Sequence, residues 1–422
     1  MLHSLNGEAL STDDSIPGKR PLGKLLLLVA VMSAGWAAFS ALMPDYLHNV
    51  LHVSGEVRGM LEFPRELPGF LMVLLLGLIA VIPKGRALGL CFLAGIIALL
   101  GVAWIAGSLG GFIPFMILWS AGMHVYFPLR DALAMELTLG RRRGWVLGRI
   151  GAFRSVGLIG GTVLVFVCMK FFSRGFSFTY TATAVVLVAG LFLSLSLPRV
   201  PSDGPSVDSR GRSRLRDRFV YRKEYRLYYI LALLFGARKQ IFLTFAPWLL
   251  VSMFAQKAPQ IALAMGCAAI IGIMVKPVFG KMIDRHGERA VLTVDAILLF
   301  FLCIGYAVVP TLLPSALALW VLYAFYVGDE LLFSLSMART TFLSRIVSSR
   351  GHLLPTMGLG GTLDHVVSML IPVGAGILWM KVGYWSVFSL AALVAVGTLV
   401  AVRFMPCRKE LLSGTGFEEK PI

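Results

Sequence analysis

The chain has 422 residues, of which 57% are hydrophobic and only 14% charged, with a mean hydropathy of +0.81 and a formal charge of +17. Soluble domains carry about 25% charged residues, so this composition excludes an ordinary soluble protein and points to one that crosses a membrane several times. The five cysteines (Cys91, Cys168, Cys267, Cys303, Cys407) are scattered and odd in number, which argues against a disulfide framework or a zinc motif; no metal and no cofactor is expected.

Residues 1–22 are polar and include acids, without the basic start, apolar centre and cleavage site of a signal peptide, and are expected to form a cytoplasmic tail. Apolar stretches follow along the whole chain, each near the length of about 20 residues that crosses a hydrocarbon layer of about 30 Å. Bounded by charge, Gly or Pro, they predict spans near 23–46, 58–82, 87–108, 111–138, 145–171 and 177–197, then 226–253, 259–282, 290–309, 315–342, 353–380 and 384–404. The fold class expected is an all-α membrane protein of twelve transmembrane helices, six on each side of the only long hydrophilic stretch. The organisation is thus a first bundle at 23–197, a basic linker at 198–225, a second bundle at 226–404 and a tail at 405–422.

Basic residues mark every second connection: Lys19, Arg20 and Lys24; Lys84 and Arg86; Arg141 to Arg143; the linker; Lys281, Arg285 and Arg289; Arg345 and Arg350; Arg403, Arg408 and Lys409. Short cytoplasmic loops are enriched in Lys and Arg, so both termini and the linker are expected in the cytoplasm, at a plasma (inner) membrane. The intervening connections hold isolated cases such as Arg58, Lys170 and Lys257. Anionic headgroups attract each basic residue near the surface by about 1 kcal/mol. Orientation and lipid attraction therefore account for the positive charge, and no nucleic-acid partner is expected.

A charge at the centre of a lipid-facing helix costs about 2.5–3.5 kcal/mol, so mid-span charges mark surfaces turned toward protein or a wet cavity. They fall on span 2 (Glu62, Arg65, Glu66), span 4 (Arg130, Asp131), span 5 (Arg149, Arg154), span 7 (Arg238, Lys239), span 8 (Lys276), span 10 (Asp329, Glu330) and span 11 (Asp364, His365). Spans 3, 6 and 12 have none at their centres, and span 9 has only Asp295 near one end. This period of three predicts that spans 3, 6, 9 and 12 meet lipid while the others surround a polar interior, as in two structural repeats packed about a central site.

The segment GKMIDRHGERAVL at 280–292, between spans 8 and 9, concentrates charge in one turn. Its Gly280, Asp284, Arg285, Gly287 and Arg289 resemble the G-x-x-x-D-R-x-G-R/K loop of the major facilitator superfamily, where a stronger copy joins helices 2 and 3. Here the first-half position, GLIAVIPKGRAL at 77–88, keeps Lys84, Gly85 and Arg86 but has an apolar residue, near Ile82, in place of the aspartate. The resemblance implies two pseudo-symmetric six-helix bundles and secondary transport of a small solute by alternating access, with the loop as a gating latch near the start of span 5. Gly148, Gly157 and Gly161 of span 5 resemble the opening of the family's antiporter glycine pattern, but Thr162 stands where its proline would be, and close helix packing is the reading preferred here.

In the resembled family helices 4, 7 and 10 line the cavity. Candidate solute-binding residues are Arg130, Arg154, Arg238 and Lys239, which suit a carboxylate or phosphate, with Trp36, Tyr126 and Tyr326 lining its apolar part. Asp329, Glu330 and Asp364 are the candidates for proton coupling, because burial favours proton uptake by a carboxylate, and His124 and His365 also titrate near neutrality. The expected partners are a small-molecule solute and membrane lipids, and the expected functional unit is a monomer. An organic anion is preferred as solute, with a drug or lipid exporter as the alternative. Outside transport, the readings are a membrane acyltransferase using Asp364 and His365, or a transporter-like sensor; adjacent helical residues diverge by about 100°, which argues against that pair as a catalytic dyad.

Overall fold

The computed structural model describes residues 19–79, 82–137, 143–171, 175–198, 221–348 and 350–406, so most of the expected tails and linker lies outside the described residues. All regular structure among these residues is helical. In chain order the first half contains α1 (Lys19–Asp45), α2 (Gly55–Met60, Glu62–Phe70 and Met72–Ile79), α3 (Lys84–Trp104), α4 (Leu109–Leu137), α5 (Arg143–Phe166) and α6 (Phe176–Leu195). The second contains α7 (Arg226–Phe254), α8 (Ala258–His286), α9 (Glu288–Leu312), α10 (Ser315–Leu332, continued as Met337–Ile346), α11 (Arg350–Lys381) and α12 (Tyr384–Arg403).

Eleven of these are long and apolar enough to cross a membrane. The remaining predicted span, α2, consists of three short helices, Gly55–Met60, Glu62–Phe70 and Met72–Ile79. Its sequence explains both the breaks and the weak apolar signal. Ser54 caps the first piece by accepting from the Val57 N–H at 3.3 Å, Pro68 lies inside the second and removes a helical N–H, and Arg58, Glu62, Arg65 and Glu66 crowd two turns. Arg58, expected in a connecting loop, is buried at 1% exposure because Glu62, one turn on, pairs with it at 2.5 Å.

The two halves repeat one packing scheme. In the first, α1 packs on α5 and α3 on α6; in the second, α7 packs on α11 and α9 on α12. Gly157 and Gly161 of α5 lie directly against the backbone of Ala30 and Ala34 in α1, a contact that only small residues permit. The charge-poor helices turn apolar side chains outward, as at Leu93 and Ile97, Val185 and Phe192, Val294 and Phe301, Leu393 and Val400. Asp295 departs from the charge-poor description of span 9, since it is buried and faces inward, 3.9 Å from Arg238.

The described ends at Lys19, Ile79, Lys84, Leu137, Arg143, Leu195, Arg226, His286, Glu288, Ile346, Arg350 and Arg403 share one side of the molecule, which we name the linker face. On the opposite, far face the halves are pressed together. There α2 packs against α11, and α8 packs against both α5 and α1. Gly59 lies against the Pro372 carbonyl, and Gly55 leaves room for the Trp379 ring. Toward the linker face the halves separate: Gly148, Arg149, Met274, Val278 and Lys281 are exposed, as are Leu74 and Leu78 at the end of α2.

Candidate functional site

Between the halves lies a cavity of about 520 Å³, whose lining includes Trp36 of α1, Glu62 and Glu66 of α2, His124 and Asp131 of α4, Lys239 and Gln240 of α7, Tyr326 of α10 and His365 of α11. A second cavity of about 320 Å³ continues toward the linker face and is lined by Arg154, Lys276, Glu330 and Arg339. Trp36, Met265 and Glu330 border both. Volumes of this size accommodate a small organic molecule.

The charged part of α2 organises the central cavity. Glu62 accepts from Arg58, from Arg65 and, at 2.6 Å, from Gln240 of the other half. Arg65 reaches Glu66 at 2.6 Å, and His365 Nδ1 lies 2.9 Å from the other Glu66 oxygen. Two of these contacts therefore join the halves. A hydrogen bond to a charged group contributes about 1.5–3 kcal/mol, so they favour the observed arrangement. The Ser120 hydroxyl donates to the Arg65 carbonyl, tying α4 to the kinked stretch of α2.

The sequence-predicted residues divide by direction. Trp36 and Arg154, Lys239 and Tyr326, and all of Asp329, Glu330 and Asp364 lie at or next to the cavities; Asp364 is the 2.7 Å partner of Lys239. Arg238 is nearly fully buried and binds Asp329 at 3.0 Å, with Asp295 at 3.9 Å. Arg130 lines neither cavity: it pairs with Asp131 at 2.8 Å and lies over the Phe127 and Tyr126 rings, at 5.3 and 5.8 Å, and Tyr126 itself is buried. Successive side chains diverge by about 100°, so in each of the pairs Arg130–Asp131 and Arg238–Lys239 only one member reaches the cavity wall. Glu330 is in no ion pair with a described residue, in contrast to Asp329 and Asp364.

In the turn between α8 and α9, Gly287 adopts φ 81°, a conformation that favours glycine. Asp284 and Arg285 are exposed on the linker face. The glutamate beside them is buried: Glu288 pairs with Arg345 at the end of α10 at 2.8 Å, and Arg289 donates to the Met405 carbonyl at 3.1 Å. Both contacts stay within the second half. The motif's glycines and aspartate do not single out Glu288, which follows Gly287 and precedes Arg289 among the other charges of this turn.

Two all-helical halves, a shared central cavity and a charged turn define a transporter architecture. The Major Facilitator Superfamily model matches residues 25–353, and the chain belongs to that family. Solved structures give the same fold. The nucleoside transporter NupG is 17% identical with a TM-score of 0.71, covering 91% of this chain and 98% of that one. A D-xylose-proton symporter is 15% identical with a TM-score of 0.68, covering 91% and 96%. A POT family transporter in complex with 5-aminolevulinic acid is 14% identical with a TM-score of 0.70, covering 92% and 96%. No curated protein matches the sequence closely enough to count as a relative.

Proposed function

We propose that this family member is a proton-coupled transporter of a small organic anion, seated in the plasma membrane with its linker face in the cytoplasm and here open to that side. The observation that carries the anion reading is the position of Arg154 and Lys276. They come from opposite halves, line one cavity, and neither is in an ion pair with a described residue. The cations around the central cavity differ: Arg58, Arg65, Arg238 and Lys239 each face a carboxylate. Glu330 is the one acid whose charge reaches both; an anion bridging Arg154 and Lys276 adds closer contacts, takes over as their counter-charge when Glu330 is protonated, and draws the halves together, which is the differential contact that alternating access requires. The gating residues Gly280, Asp284, Arg285, Gly287 and Arg289 then serve the opposite state, in which the cytoplasmic ends meet.

The proton belongs to Glu330, which borders both cavities and, unlike Asp329 and Asp364, has no ion-pair partner among the described residues. The test is thermal stabilisation of purified protein by organic anions, cations and neutral amphiphiles, since a ligand that binds only the folded state raises its apparent stability. Stabilisation by an anion, lost in Arg154→Gln and in Lys276→Gln, supports the reading and selects the solute for flux assays in liposomes. Stabilisation by hydrophobic cations, lost in Glu330→Gln, replaces it with the exporter reading.

A further inference from the structure

We propose that Glu66, His124 and His365 form a binding site for a divalent transition-metal ion of the zinc type, placed between the two halves and reached from the central cavity. The proposal does not depend on the identity of the solute.

The donor atoms already converge. One ligand atom from each of the three residues lies within 4.8 Å of the others. The Glu66 Oε2 atom is 2.9 Å from His365 Nδ1 and 3.8 Å from His124 Nε2. A tetrahedral ion bound at about 2.0–2.1 Å separates its ligands by about 3.4 Å, a value these two distances bracket. Two imidazoles and one carboxylate suit zinc, cobalt, nickel or copper and leave coordination positions for water.

The surroundings orient these groups as metal ligands are oriented. The Ser120 hydroxyl proton is committed to the Arg65 carbonyl, so His124 Nδ1, 2.9 Å from the Ser120 carbonyl, is the donor in that contact. In the neutral ring that leaves the Nε2 lone pair facing Glu66, 3.8 Å from its Oε2, where Nε2 has no hydrogen bond to a described residue. Such a backbone contact on the remote ring nitrogen is the usual support of a metal-bound histidine. Glu66 is held by its other oxygen on Arg65 at 2.6 Å. Space for the rings comes from Gly69, one turn beyond Glu66: a Cβ there would lie 2.6 Å from His365 Nδ1 and 2.7 Å from His124 Cδ2. The two rings meet edge to face in that notch, with centroids 4.9 Å apart.

Charge does not exclude the ion. The nearby cations Arg58, Arg65 and Lys239 are matched in number by Glu62, Glu66 and Asp364, so with both histidines neutral the cluster carries no net positive charge. Without metal, protons on His365 Nδ1 and His124 Nε2 would pair both rings with the same Glu66 oxygen; a metal ion takes the place of those protons, with both nitrogens as ligands. Because Glu66 and His124 belong to the first half and His365 to the second, a bound ion ties the halves together in this state and opposes their rocking.

The test is titration of full-length, tag-free protein in detergent with Co²⁺, read by visible absorption, and displacement of the Co²⁺ by Zn²⁺. The expected result is one saturable Co²⁺ per chain, with affinity about tenfold or more lower in His124→Gln, His365→Gln and Gly69→Ala, and unchanged in His48→Gln on the far face. A Cu²⁺ resonance spectrum of the native protein provides a reading independent of how any variant folds, and coupling to two imidazole nitrogens is expected. Absence of saturable binding, native affinity in His365→Gln, or a Cu²⁺ signal without two nitrogen ligands overturns the site.

Discussion

The carboxylate of Asp45, at the end of α1, accepts a 2.6 Å hydrogen bond from the backbone N–H of Ala258, the first residue of α8, and so caps a helix of the opposite half. Asp45 is 2% exposed, and its second oxygen is held by Asn49 at 2.7 Å. The free N–H groups and the positive dipole end of a helix both favour a carboxylate at this place. The contact exists only while the far face is closed.

Asp45→Ala is therefore expected to destabilise this state relative to the alternative by about 1.5–3 kcal/mol, a shift of about tenfold or more in population. A single-cysteine reporter at Ser40→Cys, in the wall of the central cavity, reads it with impermeant reagents. Labelling from the far side should rise in the variant and labelling from the linker side should fall. Identical labelling from both sides in variant and parent removes Asp45 as a closing contact.

Lys239 and Asp364, 2.7 Å apart across α7 and α11, have side chains only 13% and 21% exposed. Removing one partner of a buried pair strands the other, at about 3–5 kcal/mol, whereas replacing both with apolar residues costs little. Lys239→Leu should accordingly lower thermal stability more than Lys239→Leu combined with Asp364→Leu. If the double variant loses at least the sum of the two single losses, the pair is not coupled in this way.

These two contacts mark what a sequence can and cannot disclose. Lys239 and Asp364 were legible as interior residues because a charge in an apolar run must face protein, and the same logic located the cavity helices. Their pairing was not legible, nor was the role of Asp45, which ends an apolar run beside Pro44 and reads as a boundary residue. Its partner is 213 positions away, and nothing local encodes a distance of that kind. Arg58 looked like a loop residue for a related reason: the neutralising partner lies one turn on, in a helix whose apolar signal its own charges and prolines had weakened. Asp295 failed oppositely, since one acid near the end of an apolar helix resembles a surface charge until Arg238 is placed beside it.

Glu330 offers a test of coupling separate from binding. The other two acids of the set are engaged by Arg238 and Lys239, whereas Glu330 borders both cavities and is in no ion pair with a described residue. In liposomes loaded with solute, Glu330→Gln should abolish accumulation driven by a pH gradient while leaving solute exchange within about twofold of the parent, because exchange needs no net proton movement. Accumulation that persists in Glu330→Gln assigns the proton elsewhere.

The charge density of residues 280–292 separates into two jobs with different signatures. Glu288 is 2% exposed and faces Arg345 at 2.8 Å, so Arg345→Gln leaves a buried carboxylate without its charged partner. A loss of about 1.5–3 kcal/mol is expected in thermal unfolding, with partial recovery in the exchange Glu288→Arg with Arg345→Glu. Asp284 is exposed in this state, and Asp284→Asn should cost less stability than Arg345→Gln while lengthening the time spent open toward the linker face. The Ser40→Cys reporter then labels faster from that side. If Asp284→Asn instead destabilises the fold as Arg345→Gln does and leaves labelling unaltered, the aspartate belongs with Glu288 to the scaffold of the second half, and the turn has no gating part.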